Sequence, residues 1–366
     1  MGELESILCL WKEERNRTQE LCLATVVAVE GSSYRKPGAR MLVTRGGRRA
    51  GTVSGGCLEA EIQKKAWWLT ESGPVVQRYT SFYDEDSEMP YGLGCGGTIH
   101  VLLERGEAAD RVLSALDRSA NLRQPMVIVF GINLQECGQV GTRFVLSADG
   151  ELPPGSRDGV EAVALAKRAL AERKSLWEGG FFAEYLPPRV GLLVVGAGDD
   201  AQPLVEFAGQ LGWHTTVVDG RSQLATRERF PMADRVLAGK SMSSLVPGEL
   251  TVTDRDAVVI LTHSYEQDRA ALKALLPNAV GYLGLLGPRQ RTERLLGEVA
   301  PELRLTVEEC RPRLHSPVGL NIGAKDPVSI ALAIVAEIYS VMERGPVKER
   351  AAKAVAKEGN PAAVTI

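Results

Sequence analysis

The most constraining feature of the sequence is a thirty-residue stretch, LLVVGAGDDAQPLVEFAGQLGWHTTVVDGR, at 192–221. An apolar strand ends at Gly196-x-Gly198-x-x-Ala201, a helical pattern follows, and Asp219 closes a second apolar strand. The first glycine permits a tight turn, and the second lets a phosphate approach the backbone at a helix N-terminus. The acid stands where a ribose-binding carboxylate belongs. The stretch therefore predicts a Rossmann-type βαβ unit and a site for a dinucleotide or a similar phosphorylated ligand.

The charged residues around this turn do not decide which phosphorylated ligand it binds. Asp199 and Asp200 lie in the turn, where two negative charges oppose a pyrophosphate; either they face away from it or the ligand is not ordinary NAD. Arg221 is interpreted as a reader of an added 2′-phosphate or as a surface charge. His263 follows a later strand at the carboxyl edge of the predicted sheet, where Rossmann ligands bind. It is a candidate proton donor or ligand contact, and a structural cap is the alternative.

A second glycine turn, GLLGPRQRTERLL at 284–296, also joins a strand to a helix. Arg289, Arg291 and Arg294 crowd the start of that helix. Cations there oppose the helix dipole unless an anion is present. The three arginines are therefore a candidate phosphate clamp, with a solvated helix face as the alternative.

The fold class follows from how strands and helices alternate. From 188 onward, near-continuous apolar strands alternate with helices, which is typical of a parallel sheet buried on both faces. The first half shows a strand at 21–30, a hairpin at 41–53, a helix at 58–71 and further strands and helices. We predict an α/β protein with a mixed α+β domain at 1–187, a Rossmann-like doubly wound domain at 188–345 and a flexible tail at 346–366.

Two cysteines in the first half lie in glycine loops, SGGCLE and GLGCGG. Cys57 follows two glycines and precedes a helix, a position that lowers the pKa of a thiol, and Cys95 has glycines on both sides that leave room for a bulky group. Persulfide carriage, soft-metal binding and mixed disulfide formation are all compatible with these loops, as are simple turns with buried thiols. Positive charge is expected from Arg40 and from Lys36 or Arg35. The candidate cofactor contacts are Arg40, Ser54, Gly55, Gly56, Gly94, Gly96 and Gly97.

Composition excludes several classes of protein. The formal net charge of −3 gives no support for a nucleic-acid or anionic-membrane partner. The N-terminal apolar stretch is too short for a signal peptide, and no window approaches the roughly 20 apolar residues of a membrane span. We therefore expect a cytoplasmic protein with reduced cysteines. No Cys-x-x-Cys spacing and no Ser-His-Asp set is present, so neither a zinc site nor a catalytic triad is predicted.

Together these motifs resemble the XdhC/CoxI family of xanthine dehydrogenase accessory proteins. The resemblance covers nearly the whole chain, through GSSYRKPGARMLV, GTVSGGCLE, GLGCGG, the 192–221 stretch, LTHSYEQDRAAL, YLGLLGPRQRTERLL and HSPVGLNIGAKDPVSIALAIVAEI. Asp199 stands where many relatives carry a histidine.

The resemblance implies a maturation factor for molybdenum hydroxylases. Such a factor binds the molybdopterin (molybdenum) cofactor, helps to exchange an oxo ligand for the terminal sulfido group, and inserts the cofactor into the client enzyme. It implies Cys57 and Cys95 as ligands or sulfur relays, a Rossmann domain that holds the phosphate end, a cysteine desulfurase partner and a homodimer. A cofactor-binding chaperone is expected rather than a stand-alone catalyst.

Three rival functions stay open at this stage. An NAD(P)-dependent oxidoreductase would use the Rossmann domain catalytically, with His263 as proton donor. A scaffold would dock the desulfurase and the client and bind no cofactor. A nucleotidyltransferase would need a metal-binding acid pair beside the phosphate loop, which Asp199 and Asp200 would supply.

Overall fold

The computed structural model describes residues 2–17, 20–56, 58–80, 97–150, 159–239 and 250–344. The chain divides into two compact units, Met1–Gly191 with Ala208–Thr215 and Leu192–Phe207 with Thr216–Ile366. The predicted tail at 346–366 lies outside the described residues. Among the described residues, every helix is too short or too polar to cross a membrane.

The first unit contains five helices and nine strands among its described residues. In chain order these are α1 Glu3–Asn16, β1 Leu21–Gly31, β2 Arg40–Thr44, β3 Arg49–Gly51, α2 Glu59–Leu69, β4 Val75–Thr80, β5 Gly97–Arg105, α3 Gly106–Leu122, β6 Met126–Gly131, α4 Leu134–Cys137, β7 Gly141–Leu146, α5 Val160–Glu172, β8 Leu176–Glu178 and β9 Phe181–Leu186. The predicted hairpin and the predicted helix after the first cysteine loop are confirmed as β2–β3 and α2. The short elements α4 and β8 were not predicted, because three or four residues carry no recognisable period.

The strands of the first unit form two antiparallel sheets, ordered β3-β2-β1-β5-β4 and β7-β6-β9-β8. Successive side chains of β1 point to opposite faces of its sheet. Cys22 and Ala24 pack in the core with α2, whereas Leu21 and Leu23 pack in the core with α1 and α3. β1 is therefore buried on both faces, which explains its uninterrupted apolar sequence.

The second sheet shares one of these cores. Ile128 of β6 packs in the same core as α1 and α3, while its neighbours Val127 and Val129 pack against α5. β1 and β6 thus each contribute side chains to two cores, and the mixed α+β class of the first unit agrees with the sequence prediction.

The second unit contains one five-stranded sheet, ordered β12-β11-β10-β13-β14. Its elements in chain order are β10 Gly191–Val195, α6 Ala201–Gln210, β11 His214–Asp219, β12 Arg235–Ala238, β13 Asp256–Ile260, α7 Tyr265–Leu275, β14 Tyr282–Leu285, α8 Arg289–Glu302, α9 Val307–Cys310, a 3₁₀ turn at Arg311–Arg313 and α10 Pro327–Arg344. β11 pairs with β12, and β13 with β14, both in parallel.

Three strands of this sheet, β10, β13 and β14, are buried along their whole length. Leu193 and Ile260 pack against α7 and α8, and the intervening Val194 and Val259 are also completely buried. This two-sided burial is what a doubly wound parallel sheet requires, and it confirms the predicted Rossmann-like fold. α10 begins as predicted, because the Asp326 carboxylate accepts the N–H groups of Val328 and Ser329.

Candidate functional site

The glycine turn between β10 and α6 requires its first glycine. Gly196 has φ +117°, and a Cβ there would lie 2.6 Å from the carbonyl oxygen of Leu261. At Gly198 a Cβ would contact the ring of His263 at 3.9 Å, within ordinary van der Waals distance. The space at Gly198 is therefore available to a ligand, whereas the glycine at 196 is needed for the fold itself.

The N–H groups of Gly198, Asp199 and Asp200 have no hydrogen-bond acceptor among the described residues. They precede α6, whose first residue, Ala201, donates to the carbonyl of Gly198. Unpaired N–H groups and the positive end of a helix dipole favour an anion. The turn therefore has the chemistry of a phosphate site.

Asp219 lies at the end of β11, as predicted, but its carboxylate is bound by the chain itself. It accepts the N–H of Ala197 at 2.7 Å, the N–H of Arg221 at 2.8 Å, and the Nε and Nη2 of Arg221 at 3.0 and 2.7 Å. Burial alone would raise the pKa of Asp219, but the hydrogen bonds from Arg221 and Ala197 more than offset it and lower that pKa. Four donors occupy the roughly four acceptor positions of a carboxylate, so a ribose hydroxyl would have to displace Arg221.

Each of the two acids in the turn has a cationic or polar partner. Asp199, with 86% of its side chain exposed, pairs with Nη2 of Arg229 at 2.8 Å, and the Asp200 carboxylate lies 2.9 Å from Nε2 of His263. Arg229 was missed by the sequence analysis, because it lies in an irregular segment after β11 with no motif around it. Its Nε is buried without a hydrogen-bond partner among the described residues. Both acids of the turn are thus engaged within the chain, Asp199 by a guanidinium and Asp200 by an imidazole.

His263 is held in an uncommon backbone conformation. Its φ is +58°, in the left-handed region, and its side chain is 58% exposed beside the glycine turn. The neighbouring Thr262 donates its hydroxyl to the buried carboxylate of Asp268, and Arg291 pairs with that carboxylate at 2.5 Å. Burial raises the pKa of Asp268. This network anchors the loop that carries His263.

The predicted three-arginine clamp on α8 is not formed. Arg291 binds Asp268, whereas Arg294 lies over the ring of Tyr265 at 4.9 Å. Arg289 is exposed and forms no hydrogen bond or ion pair with a described residue; it borders a cavity of about 320 Å³ that Arg311 also lines. Arg291 and Arg294 are three positions apart, so they lie on the same side of α8, and there Asp268 and Tyr265 of α7 engage them.

In the first unit, Ser54 organises the turn before the predicted cysteine site. The carboxylate of Glu59, at the start of α2, accepts the N–H groups of Val53 and Ser54 at 3.1 and 2.8 Å and the Ser54 hydroxyl at 2.7 Å. Burial acts to raise the pKa of Glu59, yet these hydrogen bonds lower it overall. Gly56 has φ +113° and donates to the Ser54 hydroxyl. Glu59 is a further residue that the sequence analysis missed.

Tyr34 borders the same turn, since a Cβ at Gly55 would lie 3.8 Å from its ring. That ring is largely exposed, although it belongs to the polar loop that precedes β2. An exposed aromatic face beside a glycine leaves a flat apolar surface next to the turn. The sequence analysis did not single out Tyr34, because nothing in its loop indicated which way the ring points.

The other predicted residues of the first unit have structural contacts. Gly97 allows close strand approach, because a Cβ there would lie 2.1 Å from the carbonyl oxygen of Ser32. Arg40 is buried in an ion pair with Glu184, which takes up the charge expected to face a cofactor. Cys57, Gly94, Cys95 and Gly96 lie outside the described residues. Among described residues, no three His, Cys, Asp or Glu side chains are grouped as metal ligands would be.

Comparison with known proteins places these units in a family. The family model described as XdhC and CoxI family matches residues 15–80, and the model described as XdhC Rossmann domain matches residues 192–338. A Bacillus subtilis (strain 168) protein, named as one of the probable subunits of xanthine dehydrogenase, is 30% identical over 94% of this chain and 99% of its own length.

Two further relatives are similar along most of the chain. The Escherichia coli (strain K12) molybdenum cofactor insertion chaperone PaoD is 26% identical over 87% of this chain and 82% of its own length. A crystal structure described as a xanthine dehydrogenase from Bacillus halodurans matches with a TM-score of 0.73 and 29% identity, over 97% of this chain and 98% of that one. Since both family models match and the Bacillus subtilis likeness spans nearly both chains, this protein belongs to the XdhC and CoxI family.

Proposed function

We propose that this protein is an accessory factor that binds a molybdopterin-type cofactor, assists its sulfuration and inserts it into a molybdenum hydroxylase such as xanthine dehydrogenase. The observation that carries the proposal is the likeness, over 87% of the chain, to a relative named molybdenum cofactor insertion chaperone. The other two relatives bear the name of xanthine dehydrogenase, the kind of enzyme proposed as the client.

The second unit is proposed to hold the phosphate end of the cofactor. The N–H groups of Gly198, Asp199 and Asp200 have no acceptor in the part of the chain that the structure describes. They fit a phosphate, and the open space at Gly198 lets one approach. Arg229 adds a guanidinium whose Nε is buried and unpartnered among the described residues. These residues would bind and orient the anionic group, with no bond made or broken there.

The first unit is proposed to bind the molybdenum end of the cofactor and to take part in its sulfuration. In the sequence, Cys57 stands between Ser54 and Glu59, two positions before the first residue of α2, and a cysteine at a helix start is favoured as the thiolate. Cys57 and Cys95 are proposed as cofactor ligands or as carriers of the sulfur that a cysteine desulfurase supplies. A homodimer in the cytoplasm is proposed with them, on the family resemblance alone.

The oxidoreductase alternative is less well supported by the geometry. An NAD(P) enzyme would use a free acid at the end of β11 to bind ribose hydroxyls, whereas Asp219 is saturated by Ala197 and Arg221. The nucleotidyltransferase alternative needs both turn acids for a metal ion, but Asp199 is paired with Arg229 and Asp200 with His263.

The test is made on protein purified without oxygen from a host that makes the molybdenum cofactor. Bound molybdenum is measured by mass spectrometry and bound pterin by fluorescence after oxidation, for wild type, Cys57→Ala, Cys95→Ala and the control Cys9→Ala. Cys9 is half-buried in α1, where it contacts Glu13. Activation of a purified apo-hydroxylase by each sample is the second readout.

We expect pterin and molybdenum in wild type and in Cys9→Ala, with loss of molybdenum, pterin or client activation in at least one of the other variants. Client activation that survives both substitutions, with no cofactor bound to wild type, would support the scaffold instead. Protein without cofactor whose melting temperature rises with NADPH would support the oxidoreductase.

A further inference from the structure

The first unit contains a cavity of about 310 Å³, bordered by α1, α3, β9 and the loop between β1 and β2. That loop belongs to the motif GSSYRKPGAR, to which the proposed function gives no task. The volume lies at the lower end of the roughly 300–1,000 Å³ that small-molecule sites occupy. The cavity therefore suits a small metabolite rather than a dinucleotide cofactor.

The walls of this cavity are mainly apolar. They include five aliphatic side chains of the two helices and of the end of β9: Leu4, Ile7, Leu116, Ala120 and Leu186. Ile7, Leu116 and Ala120 belong to the core that α1 shares with α3, so the cavity borders that core. An apolar group placed against these walls is removed from water, which favours its binding.

Arg40 and Glu184 supply a buried ion pair to the lining of the cavity. Each has less than a tenth of its side chain exposed. Glu184 accepts hydrogen bonds from both terminal nitrogens of Arg40, and the carbonyl of Gly38 accepts a further one from Nη1 at 2.8 Å. The Nε of Arg40 is buried as well, and it has no hydrogen-bond partner in the part of the chain that the structure describes. Arg40 therefore has a donor that the ion pair does not use.

Arg35 brings a second donor of this kind to the same cavity. Its Nε is also buried without a partner among the described residues, while its Nη2 pairs with Glu3. The side chains of Arg35 and Glu3 are 31% and 40% exposed, so this pair lies where the cavity opens to solvent. A buried N–H group without an acceptor is costly, and such groups are few in folded proteins. Two of them at one cavity indicate a ligand that supplies acceptor atoms.

The charges that line the cavity decide which acceptor fits. The lining contains three guanidinium groups and two carboxylates, those of Arg35, Arg40, Arg189, Glu3 and Glu184. A carboxylate forms strong, charge-assisted hydrogen bonds with guanidinium donors, and its two oxygens offer about four acceptor positions, enough for both Nε groups. A doubly charged phosphate would be costly to bury against the apolar walls. A single carboxylate is therefore the matching group.

We propose that this cavity binds a small monocarboxylate with an apolar body. The carboxylate accepts hydrogen bonds from the Nε groups of Arg40 and Arg35, and the apolar body packs against α1 and α3. Binding makes and breaks no covalent bond. The inference goes beyond the maturation function and does not depend on it, because it assigns the motif GSSYRKPGAR a ligand of its own.

The test uses octanoate as the probe, since it joins one carboxylate to an unbranched apolar chain. Octanamide has the same chain without the charge, and acetate has the charge without the chain. Binding of each compound to the full chain is measured by calorimetric titration at neutral pH.

Two variants and a control locate the site. Arg35→Gln removes one donor at the exposed side of the cavity. Arg45→Gln is the matched control, because Arg45 forms an exposed pair with Glu20 and does not line the cavity. Ala120→Leu fills the cavity from α3 without changing a charge. Thermal unfolding shows whether each variant is folded, and if Ala120→Leu is not, Arg35→Gln decides the question alone.

We expect wild type and Arg45→Gln to bind one octanoate per chain with equal affinity. Arg35→Gln should bind it about ten-fold more weakly, because a hydrogen bond to a charged group is lost. Ala120→Leu should not bind it, and octanamide and acetate should each bind wild type about ten-fold more weakly than octanoate does.

The inference is overturned if octanoate does not bind wild type, or if it binds Arg35→Gln as tightly as wild type. Octanamide that binds as tightly as octanoate would overturn the assignment of a carboxylate. The maturation function is tested by cofactor content and client activation, so the two proposals fail separately.

Discussion

Arg221 donates two side-chain hydrogen bonds to the carboxylate of Asp219, from Nε at 3.0 Å and from Nη2 at 2.7 Å, one to each oxygen. The same carboxylate accepts the N–H of Ala197, so one buried acid joins the end of β11 to the glycine turn after β10. In a dinucleotide enzyme an acid at this position binds the ligand. In this protein it fixes the shape of the turn that the ligand would approach.

Asp219→Asn should therefore destabilise the second unit. The amide loses the charge-assisted bonds and leaves Arg221 or the N–H of Ala197 without a full partner, at a cost of about 1–3 kcal/mol. Urea unfolding at neutral pH measures this, with Asp199→Asn as a control because the Asp199 side chain is largely exposed. A similar loss in both variants would contradict the structural role of Asp219.

The effect of Asp219→Asn should also depend on pH. The pKa of Asp219 is lower in the folded protein than its unfolded value of about 3.9. Its stabilising contribution is thus present above that value and is lost as the pH falls through the folded pKa. The stability difference between wild type and variant should be constant from neutral pH to about pH 5 and shrink below about pH 4.

Gly196 and Gly198 should respond differently to alanine. Gly196→Ala forces an unfavourable φ and a 2.6 Å contact with the carbonyl of Leu261, so we expect a loss of about 1–3 kcal/mol. Gly198→Ala meets no close contact and should fold normally, while its methyl group reduces anion binding at the turn. Thermal unfolding measures the loss of stability, and calorimetric titration with inorganic sulfate measures the loss of anion binding. Equal stability of the two variants would contradict the assignment of Gly196 to the fold.

Breaking the Arg40–Glu184 pair should strongly destabilise the first unit. Both side chains are more than nine-tenths buried, so Arg40→Ala leaves an uncompensated charge, at about 3–5 kcal/mol. The double variant Arg40→Met with Glu184→Leu should be less destabilised than Arg40→Ala. Arg45→Ala is the matched control, because its pair with Glu20 is exposed and should contribute little. Denaturation of the four proteins tests this, and equal losses for Arg40 and Arg45 would contradict it.

Glu59→Gln should loosen the turn at Ser54 and cost about 1–3 kcal/mol, because the buried carboxylate accepts three hydrogen bonds there. Since the pKa of Glu59 is lowered, its contribution holds above about pH 4.3 and disappears as the pH falls through the folded pKa. Glu61→Gln, on the same helix and paired with Lys65, is the control and should change little. Stability curves from neutral to acid pH give both readouts, and a penalty unchanged at low pH would show that the carboxylate charge does not matter.

The local sequence pattern was sufficient to predict most of the fold. The apolar run of β1, the glycine turn after β10 and the Asp326 cap of α10 are each written in a few neighbouring residues, and the structure confirms them. The short elements α4 and β8 were not predicted, because their formation depends on the residues against which they pack. The assignment of strands to two separate sheets in the first unit was likewise not predicted, since strand pairing joins residues far apart in the chain.

The sequence by itself determined the fold class, the family and the position of the phosphate-type turn, because each of these depends on spacing along the chain. Tertiary structure decided which charges are free. Three arginines that the sequence offered to a ligand form ion pairs within the chain instead: Arg291 with Asp268, Arg40 with Glu184 and Arg221 with Asp219. Partners of this kind come from distant segments or from side-chain directions that spacing does not reveal, and burial makes their pairing obligatory because an isolated charge away from water is unstable.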